Sequence, residues 1–154
     1  MISRRDWLRM AAGGLALGTT SAARLLALAP AKEATVYKDA GCGCCKKWVE
    51  HMQKNGWNVT AHDVPDVGVY KKRYGVPDAL ASCHTAIVTG GYVVEGHVPS
   101  DLIDKIVSAR PADLVGLAVP GMPQGSPGME TGRVDKYDVV AFMKSGKTKI
   151  FASR

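Results

Sequence analysis

Aromatic residues are scarce in this 154-residue chain, at 6%, with only two Phe. Clustered basic charge is scarce as well. The formal net charge is +6, but Arg4, Arg5, Arg9 and Arg24 against Asp6 supply half of it within residues 1–31. The remainder holds 16 basic and 13 acidic residues, without the concentrated basic face that nucleic acid demands. The triplet Lys71, Lys72, Arg73 reads as a solvated helix face. An uninterrupted apolar run of ~20 residues, the length a spanning helix needs, is missing too. Internal repeats are absent. With 46% hydrophobic and 22% charged residues, what remains is ordinary globular composition, enough for one domain with a small appendage.

The first residues carry an export signature. Ser3-Arg4-Arg5-Asp6-Trp7-Leu8 has the paired arginines and bulky apolar residues of a twin-arginine motif. A small-residue apolar stretch follows, broken by Gly, Thr and Arg24, and Ala29-Pro30-Ala31 offers small residues for cleavage. No cysteine lies near that site, which argues against a lipoprotein. The expected division is a signal peptide over 1–31, cleaved near Ala31, and a mature domain over 32–154 in the periplasm, free of the membrane after cleavage. An uncleaved anchor is the alternative.

The mature chain alternates strand and helix signals. Ala34 to Lys38 reads as a first strand entering a tight loop. Cys45, Trp48, Val49 and Met52 share one helix face, stopped at Asn55-Gly56. Trp57 to Val64 reads as a second strand. Pro65-Asp66 opens a second helix with Val67, Tyr70 and Tyr74 inward. Thr85 to Thr89 and Tyr92 to Glu95 flank Gly90-Gly91, a hairpin turn. Ser100 is expected to cap a third helix with Leu102, Ile103, Ile106 and Val107 inward, ended by Arg110-Pro111. This order predicts an α/β sandwich on one mixed sheet, of thioredoxin-like type because a helix follows directly on a cysteine-bearing loop. Residues 118–132 hold four Gly, three Pro and two Met and predict a long functional loop. Asp138 to Met143 and Lys149 to Ala152 predict a closing hairpin, so that 111–154 forms a loop-and-hairpin extension.

All four cysteines fall in two places, Cys42-Gly43-Cys44-Cys45 and Cys83-His84. Adjacent Cys44 and Cys45 cannot bridge each other without severe strain, so three thiols in four residues are not all structural staples. The cluster opens a helix, where backbone N–H groups favour thiolates. Aligned on the thioredoxin pattern, His84 takes the position of the proline that heads the third strand. An imidazole beside a thiolate then replaces a residue with no ligand to offer. Sulfur donors select Cu(I), Zn or iron–sulfur clusters. One Zn needs only four ligands, and the crowded Cys44-Cys45 step suits bridging sulfurs and more than one ion, with copper the thiophilic ion an exported protein is expected to meet. The spacing of Cys42 and Cys45 also fits a thiol–disulfide oxidoreductase with Cys42 as nucleophile and Cys45 as resolving thiol. Two disulfide staples are the third alternative.

His97, just before the third helix, is a candidate ligand whose alternative is a capping role. Met122 and Met129 flank the Pro/Gly loop as soft donors or as a lid, with plain packing as the alternative. His51 lies ~240° round the helix from Cys45 and is expected to face solvent. His62 has no partner in sequence. Trp48 and Trp57 read as core, with Trp48 walling the pocket.

The motifs Gly41-Cys42-Gly43-Cys44-Cys45, Ser82-Cys83-His84-Thr85, Glu95-Gly96-His97-Val98-Pro99 and the run from Gly121 to Glu130 resemble those of the CopG copper-resistance proteins, an exported bacterial family. The resemblance extends from about Thr35 to Ala152. It implies a thioredoxin-like fold, a cysteine-bridged multinuclear copper site and a role in periplasmic copper resistance, including a change of copper between Cu(I) and Cu(II). It further implies Cys42, Cys44, Cys45 and Cys83 as thiolate ligands, with His84 and His97 as imidazole partners. The expected partners are copper ions and, in the periplasm, copper carriers or efflux components. Whether copper is turned over, as by a copper oxidoreductase, or only held is left open by the motifs.

Overall fold

The computed structural model describes residues 31–154; the twin-arginine motif and the rest of 1–30 lie outside them. Strands β1 (Glu33–Lys38), β2 (Asn58–Asp63), β3 (His84–Val88) and β4 (Tyr92–Glu95) alternate with helices α1 (Gly43–Lys54), α2 (Val67–Arg73) and α3 (Ser100–Ala109). Three further strands, β5 (Leu114–Ala118), β6 (Asp138–Met143) and β7 (Thr148–Ser153), complete one seven-stranded sheet in the order β2-β1-β3-β4-β5-β6-β7. β1 and β2 run parallel, β3 runs antiparallel to both β1 and β4, and β4 and β5 are parallel. The first four strands with three helices form the thioredoxin-like core, and the last three widen its sheet.

Side chains alternate across each strand, so every strand serves two faces. On one face α1 contributes Trp48 and Met52 and α3 contributes Leu102, Ile103 and Ile106, packed on Val36, Ala86, Val94 and Leu117. Each such fully buried side chain removes enough apolar surface from water to stabilise the fold by about 1.5–3 kcal/mol before entropy is charged. On the other face Val76, Leu80, Val93 and Phe142 pack together, with Tyr74 and Ile87 against them. The Gly90-Gly91 turn has φ of 86° and 78°, the left-handed pair that a two-residue hairpin requires.

Three sequence expectations need correction. Residues 114–118 form a strand, and the loop starts only at Val119. β5 is covered on both faces, so it lacks the alternation that marks a strand. It also carries Gly116 at its centre, where a Cβ would come within 2.1 Å of the Val93 carbonyl oxygen; only glycine lets β5 approach β4. Ser100 does not cap α3. Pro99 holds the cap position without a side-chain bond, and the Ser100 N–H donates instead to Nε2 of His51 at 3.2 Å. The half-buried His51 therefore does not face solvent: α1 lends α3 its cap.

Candidate metal centre

The antiparallel pairing of β1 with β3 and of β3 with β4 brings the end of β1, the start of β3 and the end of β4 to one edge of the sheet. Lys38 pairs with His84 and Thr85 pairs with Glu95. The turn after β1, the residue before β3 and the segment after β4 therefore meet, and these segments carry Cys42 to Cys45, Cys83-His84 and His97.

The first segment is a tight turn. Gly41 N–H donates to the Asp39 carboxylate at 2.7 Å and Cys42 N–H to the Asp39 carbonyl at 3.1 Å. This launches α1 with Cys42 at the cap, its Sγ accepting from Cys45 N–H at 3.3 Å. A thiol here occupies the place of the usual oxygen acceptor. Cys42 and Cys45 are joined as a disulfide, while Cys44 and Cys83 are free. Cys44 Sγ lies 3.5 Å from Cys42 Sγ and 3.9 Å from the Met122 thioether. Cys83 Sγ lies 3.0 Å from His97 Nε2 and 3.4 Å from His84 Nδ1.

Two overlapping donor groups result. The four cysteine sulfurs lie within 4.8 Å of one another, and so do the donor atoms of Cys83, His84 and His97. Cys83 belongs to both. His84 and His97 are fully buried and their rings stack at 5.6 Å, with Trp48 tilted against His84 at 4.4 Å. Trp48 is fixed by its own indole N–H, which donates to the Val98 carbonyl at 2.9 Å.

The electrostatics keep the imidazoles neutral. Burial drives the His84 pKa well below its ordinary value, with His97, Lys71 and Lys38 pushing the same way. Burial also lowers His97, opposed by Glu130. The Cys83 thiol is pushed up to about 12, mainly by burial and then by Cys44. The imidazoles are thus already in the neutral form that binds a metal, and of these three groups only the Cys83 thiol would have to lose a proton to a cation. Nε2 of His84 is buried without a hydrogen-bond partner, a cost of about 1–3 kcal/mol unless a ligand meets it. A cluster of sulfurs and neutral imidazoles fits a soft metal ion.

The Gly/Pro loop closes over this edge. Ser126 is fully buried, its hydroxyl donating to the Pro123 carbonyl at 2.7 Å and lying 3.4 Å from His97 Nδ1. The hydroxyl has one proton, spent on Pro123, so toward the ring it accepts. That leaves the proton on Nδ1 and the lone pair of Nε2 toward Cys83. Met122 is 52% exposed at the rim beside Cys44. Met129 is half-buried with its backbone bonded to Ser126 and Gly125, and among the described residues its thioether makes no hydrogen bond to a thiol. His62 is exposed and stacks on Tyr37, on the other side of the sheet edge.

Sequence reasoning missed Ser126 and Glu95. Both stand in the quoted motifs, and Glu95 carries a further sign: a charge at the end of the apolar strand Tyr92–Glu95.

A family described as "Protein of unknown function, DUF411" matches residues 80–129, the span from Cys83 through His97 to Met129. No curated protein matches the chain. Two solved structures do. Copper resistance protein CopG, form 2, is 48% identical with a TM-score of 0.76, covering 80% of this chain and 98% of that one. Form 1 of the same protein is 48% identical with a TM-score of 0.75, covering 81% and 98%. With likeness of that degree over four-fifths of its length, the chain belongs to the CopG family of copper-resistance proteins.

Proposed function

We propose that this protein is an exported copper-binding protein of copper resistance. Its site is a multinuclear, thiolate-bridged one held by Cys42, Cys44, Cys45 and Cys83 with His84 and His97, and Met122 at its rim. The observation that carries this reading is the convergence of four sulfurs and two neutral imidazoles on one sheet edge, with Cys83 common to both donor groups. Six donors exceed what a single four-coordinate ion needs. Soft sulfur suits Cu(I), whereas imidazole also accommodates Cu(II), so the mixed set supports interconversion of the two. The name of the related structures supports copper as the ion. The periplasm is the proposed compartment, on the strength of the twin-arginine signature, with copper carriers or efflux components as partners.

In this reading the chain's own residues do the work. The imidazoles, kept neutral by burial, are ready to bind without first losing a proton. Cys83 and Cys44 give up theirs, and Cys42 and Cys45 require two-electron reduction to become donors. Ser126 holds the His97 ring with Nε2 inward, and the loop from Val119 to Tyr137 limits water at the site. The test is titration of the reduced protein with Cu(I), followed by metal analysis. More than one copper per chain is expected; a stoichiometry of one or less in folded protein overturns the bridging site.

A second reading is favoured by one observation, the Cys42–Cys45 disulfide at the start of α1: a thiol–disulfide oxidoreductase. His84→Pro separates the two. It removes an imidazole and so weakens copper binding, whereas a dithiol enzyme retains or gains activity on protein disulfides.

A further inference from the structure

Glu95 is the most deeply buried carboxylate among the described residues, its side chain fully enclosed. Nothing in the copper-binding reading requires it. Burying a carboxylate is costly unless it is paired and hydrogen-bonded, and every partner it has leads back to the metal centre. Its Oε1 accepts from Ser82 N–H at 2.6 Å and from Lys71 Nζ at 2.6 Å. Its Oε2 accepts from the Thr85 hydroxyl at 2.7 Å. Lys71 Nζ also reaches Thr85 Oγ1 at 3.2 Å.

Ser82 and Thr85 bracket Cys83 and His84. One carboxylate therefore grips the chain immediately before and immediately after the two donor residues, from the face of the sheet opposite His84. The grip extends further. The Ser82 hydroxyl donates to the Gly121 carbonyl at 2.5 Å, next to Met122. Gly96, at φ 69°, lies so close that a Cβ there would come within 2.5 Å of Ser82 Oγ. Gly96 N–H in turn donates to the His84 carbonyl at 3.0 Å.

We propose that Glu95, neutralised by Lys71, is the positioning residue of the metal centre: it clasps Ser82 and Thr85 so that Cys83 and His84 are held toward His97 and the helix-borne thiols. This rests on the copper-binding reading for its purpose but not for its geometry. A carboxylate suits the task because it is acceptor-only. It meets an N–H, a hydroxyl and an ammonium at once, which an amide of the same shape cannot do without turning a donor toward one of them.

The test uses metal-free protein carrying Cys44→Ser, with the Cys42–Cys45 disulfide intact, so that Cys83 is the one thiol left. Alkylation of Cys83 is timed with and without Glu95→Gln. The variant is expected to alkylate about tenfold faster, and when reduced protein with all four cysteines is loaded with Cu(I), to lose copper to a competing chelator about tenfold faster, as outer partners of metal ligands typically do. Ile106→Val, a core change in α3 remote from the cysteines, controls for stability and should leave both rates unchanged. If Glu95→Gln does not fold, Thr85→Val removes one of the two grips and should shift both rates in the same direction by less. The proposal falls if Cys83 alkylates at the parent rate in the carboxylate variant. It also falls if alkylation merely follows melting temperature across the variants, Ile106→Val included. Because the thiol rate is read without metal, the clasp can stand while copper binding fails, and copper binding can stand while the clasp fails.

Discussion

Cys83 Sγ lies 3.0 Å from Nε2 of His97, a residue 14 positions further along the chain. That contact joins the cysteine cluster to the pair of imidazoles, since Cys83 belongs to both donor groups. Cys83→Ser should therefore cost more copper than any other single cysteine change. His97→Gln should remove less, because only one donor group loses a member. Metal analysis after Cu(I) loading and desalting reads both. Equal losses from Cys83→Ser and Cys44→Ser would show that Cys83 is not the shared donor.

If the proposed site holds copper, the disulfide should make its uptake depend on thiol redox state. With Cys42 joined to Cys45, only Cys44 and Cys83 are free, so a thiol count on protein prepared without reductant should give two and on reduced protein four. Copper bound per chain should rise in step, because the thiolate and not the disulfide is the ligand. Equal copper loading before and after reduction would remove Cys42 and Cys45 from the ligand set.

Much of this arrangement is legible in the sequence. The helix face of Cys45, Trp48, Val49 and Met52, the Gly90-Gly91 turn and the closing hairpin follow from local periodicity and turn chemistry, which short-range contacts enforce. The meeting of Cys42 to Cys45 with Cys83-His84 follows from the thioredoxin-like topology once the strand order is read. What escapes are features set by long-range contact. The strand Leu114–Ala118 is sandwiched and centred on a glycine, so it shows no alternation. The cap of α3 comes from His51, 49 residues away. The hydrogen bonds of Glu95 and Ser126 depend on three-dimensional neighbours that no spacing rule encodes. Ser126 has its ring contact only because the loop folds back over α1.

That fold-back has a tight point at Gly128. Its φ is 92°, and a Cβ there would come within 2.7 Å of the Cys44 carbonyl oxygen and 3.0 Å of Trp48 N. Both neighbours are helix backbone and cannot yield. Gly128→Ala should cost about 1–3 kcal/mol from the strained backbone alone and lift the loop from the first turn of α1. Met122 and Ser126 should move with it, so copper should exchange faster and Trp48 fluorescence should respond. Gly132→Ala, at φ 91° and with no atom near the added carbon, carries the left-handed strain without the collision and should exchange copper close to the parent rate. Equal acceleration in both variants would show that the contact with α1 does not hold the loop.

The cap that His51 gives α3 makes stability depend on pH. Nε2 accepts the Ser100 N–H only while unprotonated, and burial lowers the His51 pKa below the ordinary value, with Lys54 in the same direction and Glu130 and Asp101 opposing. In the unfolded chain the ring protonates near pH ~6.5. Between that value and the lower folded one the unfolded chain binds more protons, so stability rises with pH. The contribution is complete above about pH 6.5 and fades as the pH falls below it. His84 and His97, also lowered, add to the same slope, so the share of His51 is the difference between the parent and His51→Ala. At pH 7.5 the variant should be less stable by ~1 kcal/mol, the worth of a helix cap. By pH 5 the gap should narrow, because the unfolded ring takes up a proton there that the folded ring, held below its ordinary pKa, resists. Urea midpoints measured on metal-free protein at the two pH values decide it: a gap that stays constant from pH 7.5 to pH 5 would mean that His51 stabilises α3 by packing rather than as a hydrogen-bond acceptor.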